Sequence, residues 1–144
     1  MSGAAAARAQ GPPATETGFG ATALWSRRAF YGAEAGLGLR PAGQLRFAFT
    51  IAGGAREGRP AGRVAGEAQF LVLPGAHGGV SPYVGMGIAA LMVQARHGSG
   101  ALTLTAGVEA GEGSRVGWYL EGGAAGGGRL AAGIRWRRFP AWWH

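Results

Sequence analysis

The chain has 144 residues, enough for one domain, with 30 glycines, 47% hydrophobic residues and only 15% charged ones. Its formal charge of +7 comes from 14 arginines against seven glutamates; lysine, aspartate, asparagine and cysteine are absent. Disulfides and cysteine-based zinc sites are thereby excluded, as is a Ser-His-Asp triad unless a glutamate replaces the aspartate. Five tryptophans and the apolar content speak against a disordered chain, and arginine without lysine fits GC-rich codon usage.

Residues 1–14 are predicted to be disordered. Ala7-Arg8-Ala9 has the small-x-small form of a secretory cleavage site. The segment therefore reads either as the tail of a signal peptide or as an alanine-rich terminus. A membrane-spanning helix needs about 20 apolar residues. The best window, 80–95, contains Pro82, Gly85 and Gly87 and is a poor helix.

From residue 15 onward the apolar residues recur with period two, which is strand alternation. A first, weaker strand over 16–25 puts Phe19, Ala21, Ala23 and Trp25 on one face. The second, 31–40, sets Ala33, Ala35, Leu37 and Leu39 against Glu34, Gly36, Gly38 and Arg40. The third, 44–53, sets Leu45, Phe47, Phe49 and Ile51 against Arg46, Ala48 and Thr50. The fourth, 63–73, sets Val64, Ala68, Phe70 and Val72 against Glu67, Gln69 and Leu71. The fifth, 82–93, opposes Val84, Met86 and Ile88 to Tyr83, Gly85 and Gly87. The last three are 101–110, with Glu109 on the polar face, 116–124, with Tyr119 and Glu121, and 129–137, with Arg129 and Arg135. Glycine and proline dominate the stretches between them, including a long one over 53–62. Short connections imply antiparallel neighbours, and eight strands closed on themselves leave no edge. The expected fold is all-β, an eight-stranded antiparallel up-and-down barrel over 15–139 with a tail at 140–144.

The apolar face carries no charge in any segment, and the opposite face is mostly glycine and alanine. A narrow lumen favours small residues interleaved with a few large polar ones. The polar face is therefore assigned to the inside and the apolar face to lipid, making the barrel transmembrane. Glu34, Glu67, Glu109 and Glu121 with Arg40, Arg46, Arg129 and Arg135 are expected to form a lumenal charge network, together with Gln69 and Tyr119. With the termini on the periplasmic side, Phe19, Phe70, Trp118, Trp136 and Phe139 gather toward one rim, and Trp25, Phe30 and Tyr31 toward the other. Such aromatic girdles mark membrane interfaces. The remaining arginines, Arg63 and Arg137 among them, are assigned to the outside or the rims.

On these residues the chain resembles the small eight-stranded outer-membrane barrels of the OmpA/OmpX type. The resemblance rests on SPYVGMGIA (81–89), similar to a strand of porin-like barrels, and on GRLAAGIRWRRF (128–139), similar to a closing strand that ends in an aromatic residue. The chain departs from that pattern by continuing through 140–144. The resemblance implies an integral outer-membrane protein that meets outer-membrane lipids and the barrel-insertion machinery.

His97 and Ser99 share a loop in the His-x-Ser order of lipid-deacylating barrels, and Glu109 with Glu121 forms a carboxylate pair; solvation and ion pairing are the readings preferred for them. His77, His97 and His144 lack metal-ligand spacing, so no metal or cofactor is expected. No basic stripe marks a nucleic-acid partner. The expectation is a monomeric, non-enzymatic barrel with a filled lumen and a structural or surface-interaction role. The alternatives are a soluble lipocalin-like binder of a hydrophobic ligand and, third, a lipid-modifying enzyme.

Overall fold

Alternation over ten or more residues leaves one face of each strand to be covered, and the chain covers it by closing the sheet. The computed structural model describes residues 13–41, 43–74, 78–94, 98–111 and 113–142. Eight strands follow one another: β1 Ala14–Trp25, β2 Phe30–Arg40, β3 Leu45–Arg56, β4 Arg59–Leu71, β5 Val80–Val93, β6 Ser99–Ala110, β7 Val116–Ala125 and β8 Gly128–Arg138. Each pairs antiparallel with the next, and β8 returns to β1, closing an up-and-down barrel. The strands of the barrel run from Ala14 to Arg138.

β1 begins and β8 ends at one rim, here the terminal rim, which also carries the β2–β3, β4–β5 and β6–β7 connections. The far rim carries the other four. The predicted loop over 53–62 is instead strand on both sides of a two-residue turn, Glu57-Gly58, with φ of 52° and 73°. Positive φ at both central residues is the type I′ signature, whose twist matches that of the flanking strands. Gly53, Gly54 and Gly62 are ladder residues, paired to Ala33, Ala61 and Met92 among others, so glycine here marks strand rather than loop. At the other end, Val72 and Leu73 fall outside β4.

Large apolar side chains face outward on every strand: Phe19, Leu37, Ile51, Val64, Ile88, Leu102, Leu120 and Ile134, from β1 to β8 in turn, are all exposed. The exposed charged residues described, Arg27, Arg28, Glu57, Arg59, Arg115 and Arg138, lie in loops or at strand ends. Inside, a small apolar cluster of Leu24, Phe30, Ala52, Leu91 and Ala125 closes the lumen near the far rim. Phe30, expected among the rim aromatics, is fully buried there, because it shares the inward parity of Glu34 on β2. Phe70, Trp118 and Trp136 stand exposed within three residues of strand ends at the terminal rim, and Trp25 stands exposed at the far one. Phe19 is exposed but mid-strand, on one row with Ile134 and Trp118. Phe139 follows the last residue of β8 and is half-buried.

Candidate functional site

All ten polar side chains predicted for the lumen point into it, since strand parity decides the side and several residues on each strand share one parity. Glu34, Arg40, Arg46, Gln69, Glu109, Tyr119, Glu121 and Arg129 are buried, while Glu67 and Arg135 are partly so. Four further groups join them. Glu16 and Tyr83 are each 1% exposed, and Arg137 and Arg63 3%. The last two correct their assignment to the outside. Arg63 sits on β4 in phase with Glu67 and Gln69, and Arg137 on β8 in phase with Arg135. Among the described residues the lumen therefore holds five glutamates and six arginines rather than four of each.

These groups form two clusters. Near the terminal rim, Glu16 and Glu109 are held by four arginines. Glu16 accepts hydrogen bonds from Arg40 Nη2 at 2.6 Å, Arg46 Nη1 at 3.1 Å and Arg137 Nε at 3.1 Å. Glu109 accepts from Arg46 Nη1 at 2.7 Å and from Arg135, with Arg137 Nη2 at 3.1 Å in an ion pair that lacks hydrogen-bond alignment. Backbone carbonyls complete the arginines: Arg40 donates to Pro74, and Arg137 to Gly111 and Ser114. Nearer the far rim, Arg129 bridges Glu121 at 2.6 Å and Glu34 at 2.9 Å. Arg63 enters this half as well, and its Nη2 has no hydrogen-bond partner among the described residues.

Two tyrosines join the clusters. Tyr83 donates to Glu121 at 2.6 Å while the Arg46 guanidinium lies 4.8 Å above its ring. Tyr119 donates to Glu34 at 3.1 Å and carries Arg135 at 4.6 Å from its ring centre. Cation–π contacts of this kind gain strength in desolvated places. Arg46 also donates from Nε to Gln69, whose amide donates to Glu67, which in turn accepts from Thr105. Glycine makes the room: a Cβ on Gly107 would lie 2.5 Å from Tyr83 Cζ, and one on Gly20 would lie 2.6 Å from the Tyr119 hydroxyl oxygen. The space left among Glu16, Glu34, Tyr119 and Arg129 is about 30 Å³, room for one or two waters.

The arrangement answers two chemical readings of the sequence. Glu109 and Glu121 are each held by arginine, which is the ion-pairing reading. The charged interior offers no apolar cavity of the kind that the ligand of the soluble alternative would need. His77, His97 and His144 lie outside the described residues, as do 1–12, where the cleavage-site reading falls. Ser99 is exposed at the start of β6.

No protein-family profile and no curated protein matches the sequence. Solved structures do match in fold. NspA, a neisserial surface protein, aligns over 88% of this chain and 97% of its own with a TM-score of 0.60 and 15% identity. The N-terminal β-barrel domain of Pseudomonas aeruginosa OprF aligns over 90% and 99% at 0.59 and 14%. A de novo designed transmembrane β-barrel aligns over 89% and 97% at 0.58 and 15%. In fold, the chain is a small eight-stranded barrel of the outer-membrane kind.

Proposed function

We propose that this chain is an integral outer-membrane barrel with a filled polar lumen, serving a structural or surface-interaction role. The polarity of the barrel carries the reading: apolar side chains ring the outside of all eight strands while the charges lie inside. Soluble monomers rarely expose contiguous apolar patches beyond a few hundred Å². Strands of 10 to 14 residues are long enough to cross a bilayer at a tilt. The match to NspA and OprF supports the outer membrane as the location.

The lumen argues against passage of large solutes. Arginines and tyrosines from opposite walls meet across it, and eight-stranded barrels have interiors just wide enough for side chains. The carboxylates are engaged by arginines, which favours a non-enzymatic role. The far-rim connections are short, two residues at Glu57-Gly58 and two at Gly126-Gly127, so any surface interaction uses the rim itself rather than long loops.

Fractionation of expressing cells, combined with heat-modifiable gel mobility, tests the proposal. The folded protein is expected in the outer-membrane fraction, running faster unheated than boiled. Recovery as a detergent-free soluble monomer would overturn it, and stable sugar conductance in planar bilayers would overturn the closed lumen.

A further inference from the structure

The far rim carries a second cluster that the lumenal network does not use. The β1–β2 connection brings Arg28 to the barrel mouth, the β3–β4 hairpin brings Arg56 and Arg59, and the start of β6 brings Ser99. Together with Glu57 they enclose a cavity of about 280 Å³ floored by Leu91 and Val93. Three guanidiniums thus face one carboxylate.

None of the three is tightly bound. Arg28 stands 3.4 Å from Glu57 with both side chains about half exposed, at 42% and 52%. Arg56 donates to Ser26 Oγ at 3.4 Å, and its Nε is buried without a hydrogen-bond partner among the described residues. Arg59 is exposed and makes no side-chain hydrogen bond among the described residues. In the lumen, by contrast, arginines reach their carboxylates at 3.1 Å or less. Loosely held guanidiniums converging on one open space are suited to an oxyanion, which takes two N–H donors from each planar fork.

Glu57 adds a second observation. Its φ of 52° is left-handed, a conformation that asparagine or glycine takes more readily. The strained position sets a carboxylate beside Arg28, where an anion from solution would otherwise bind.

We propose that the far-rim mouth is an oxyanion site for phosphate or a phosphomonoester headgroup, with Arg56 and Arg59 as its main donors and Glu57 as an internal competitor. The inference goes beyond the membrane reading, because it holds for whichever aqueous side the far rim faces.

The test uses the full chain refolded in detergent, with folding checked by gel mobility, and titration with inorganic phosphate followed by calorimetry. Saturable binding is expected. Arg59→Gln, at the exposed first residue of β4, is expected to weaken it about tenfold, the effect of losing one charge-assisted hydrogen bond. Glu57→Asn is expected to tighten it. A second arm adds phosphatidylcholine vesicles with and without phosphatidic acid. Binding of phosphatidic acid vesicles that phosphate displaces assigns the site to a lipid headgroup; binding of phosphate alone assigns it to the free ion. Absence of phosphate binding, or equal affinity in wild type and Arg59→Gln, overturns the proposal, as does full displacement by chloride at matched ionic strength.

Discussion

Glu109→Gln is the sharpest perturbation of the lumen. Glu109 is fully buried and is shared by Arg46, Arg135 and Arg137. The terminal-rim cluster holds Arg40, Arg46, Arg135 and Arg137 against Glu16 and Glu109, a local sum of +2 (four minus two). The substitution raises that sum to +3 without changing shape. Removing one partner of a buried ion pair costs about 3–5 kcal/mol, because the remaining charge stays buried. Glutamine keeps one acceptor oxygen for Arg46, so the loss is expected near the lower bound, about 3 kcal/mol. The comparison is Glu57→Gln at the half-exposed pair with Arg28, where exposed pairs contribute about 0–1 kcal/mol. Urea unfolding of the barrel in lipid vesicles, followed by tryptophan fluorescence and gel mobility, measures both. Glu109→Gln/Arg135→Gln returns the local sum to +2 and is expected to be less destabilised than the two single variants added together. A cost below about 1 kcal/mol for Glu109→Gln, or strict additivity in the double variant, would refute the claim that this network stabilises the barrel as a coupled unit.

Other substitutions test the remaining assignments. Gly107→Ala sets a methyl group 2.5 Å from Tyr83 Cζ and is expected to cost about 1–3 kcal/mol in the same assay, the usual penalty of overpacking; an unchanged midpoint would mean that the ring has space to move. Ile88→Arg, on the exposed band of β5, is expected to cost about 2–4 kcal/mol in bilayers. An unaltered stability there would deny that Ile88 meets lipid. Glu57→Asn is expected to raise stability by up to about 1 kcal/mol by relieving the positive φ, and a loss of stability would show that its pair with Arg28 outweighs the strain.

Period two made the fold and most of the lumen legible in the sequence. A strand has only two faces, so Leu45, Phe47, Phe49 and Ile51 on one side were enough to send Arg46 inward. The exceptions lie at the ends of predicted strands. Arg63 opens the predicted fourth strand, directly after the glycine-rich stretch over 53–62, yet its parity with Glu67 and Gln69 points inward. Arg137 closes the predicted eighth strand and shares its parity with Arg135, and Phe30, one residue before the predicted second strand, shares that of Glu34. Glu16 lay on the weakest strand, where an apolar face made of alanines barely announced itself. The partners within the lumen were not legible at all. Arg129 meets Glu34 across 95 residues of sequence because closure of β8 on β1 sets β2 nearby. That proximity depends on register and on closure, neither of which alternation encodes.

Glycine and arginine, the two extremes of the composition, serve one structural requirement. Ladder hydrogen bonds tie each strand only to its neighbours, and the apolar exterior does nothing to draw opposite walls together. The ties across the lumen are side chains. Arg46 on β3 reaches Glu16 on β1, Gln69 on β4 and Glu109 on β6, and Arg129 on β8 reaches Glu121 on β7 and Glu34 on β2. Arg46 donates once from Nε and twice from Nη1, and Arg129 from both Nη1 and Nη2, a spread of donors that the single ammonium of a lysine does not reproduce. A long fork needs an unobstructed path across the barrel, and a wall of glycine and alanine supplies it: Gly38 lies within 3.4 Å of the Arg46 side chain and Gly117 within 3.1 Å of that of Arg137, measured from where a Cβ would stand. Codon usage explains how a genome comes to supply both residues in abundance. The lumen shows why this fold can use them together, one to make room and the other to reach across it.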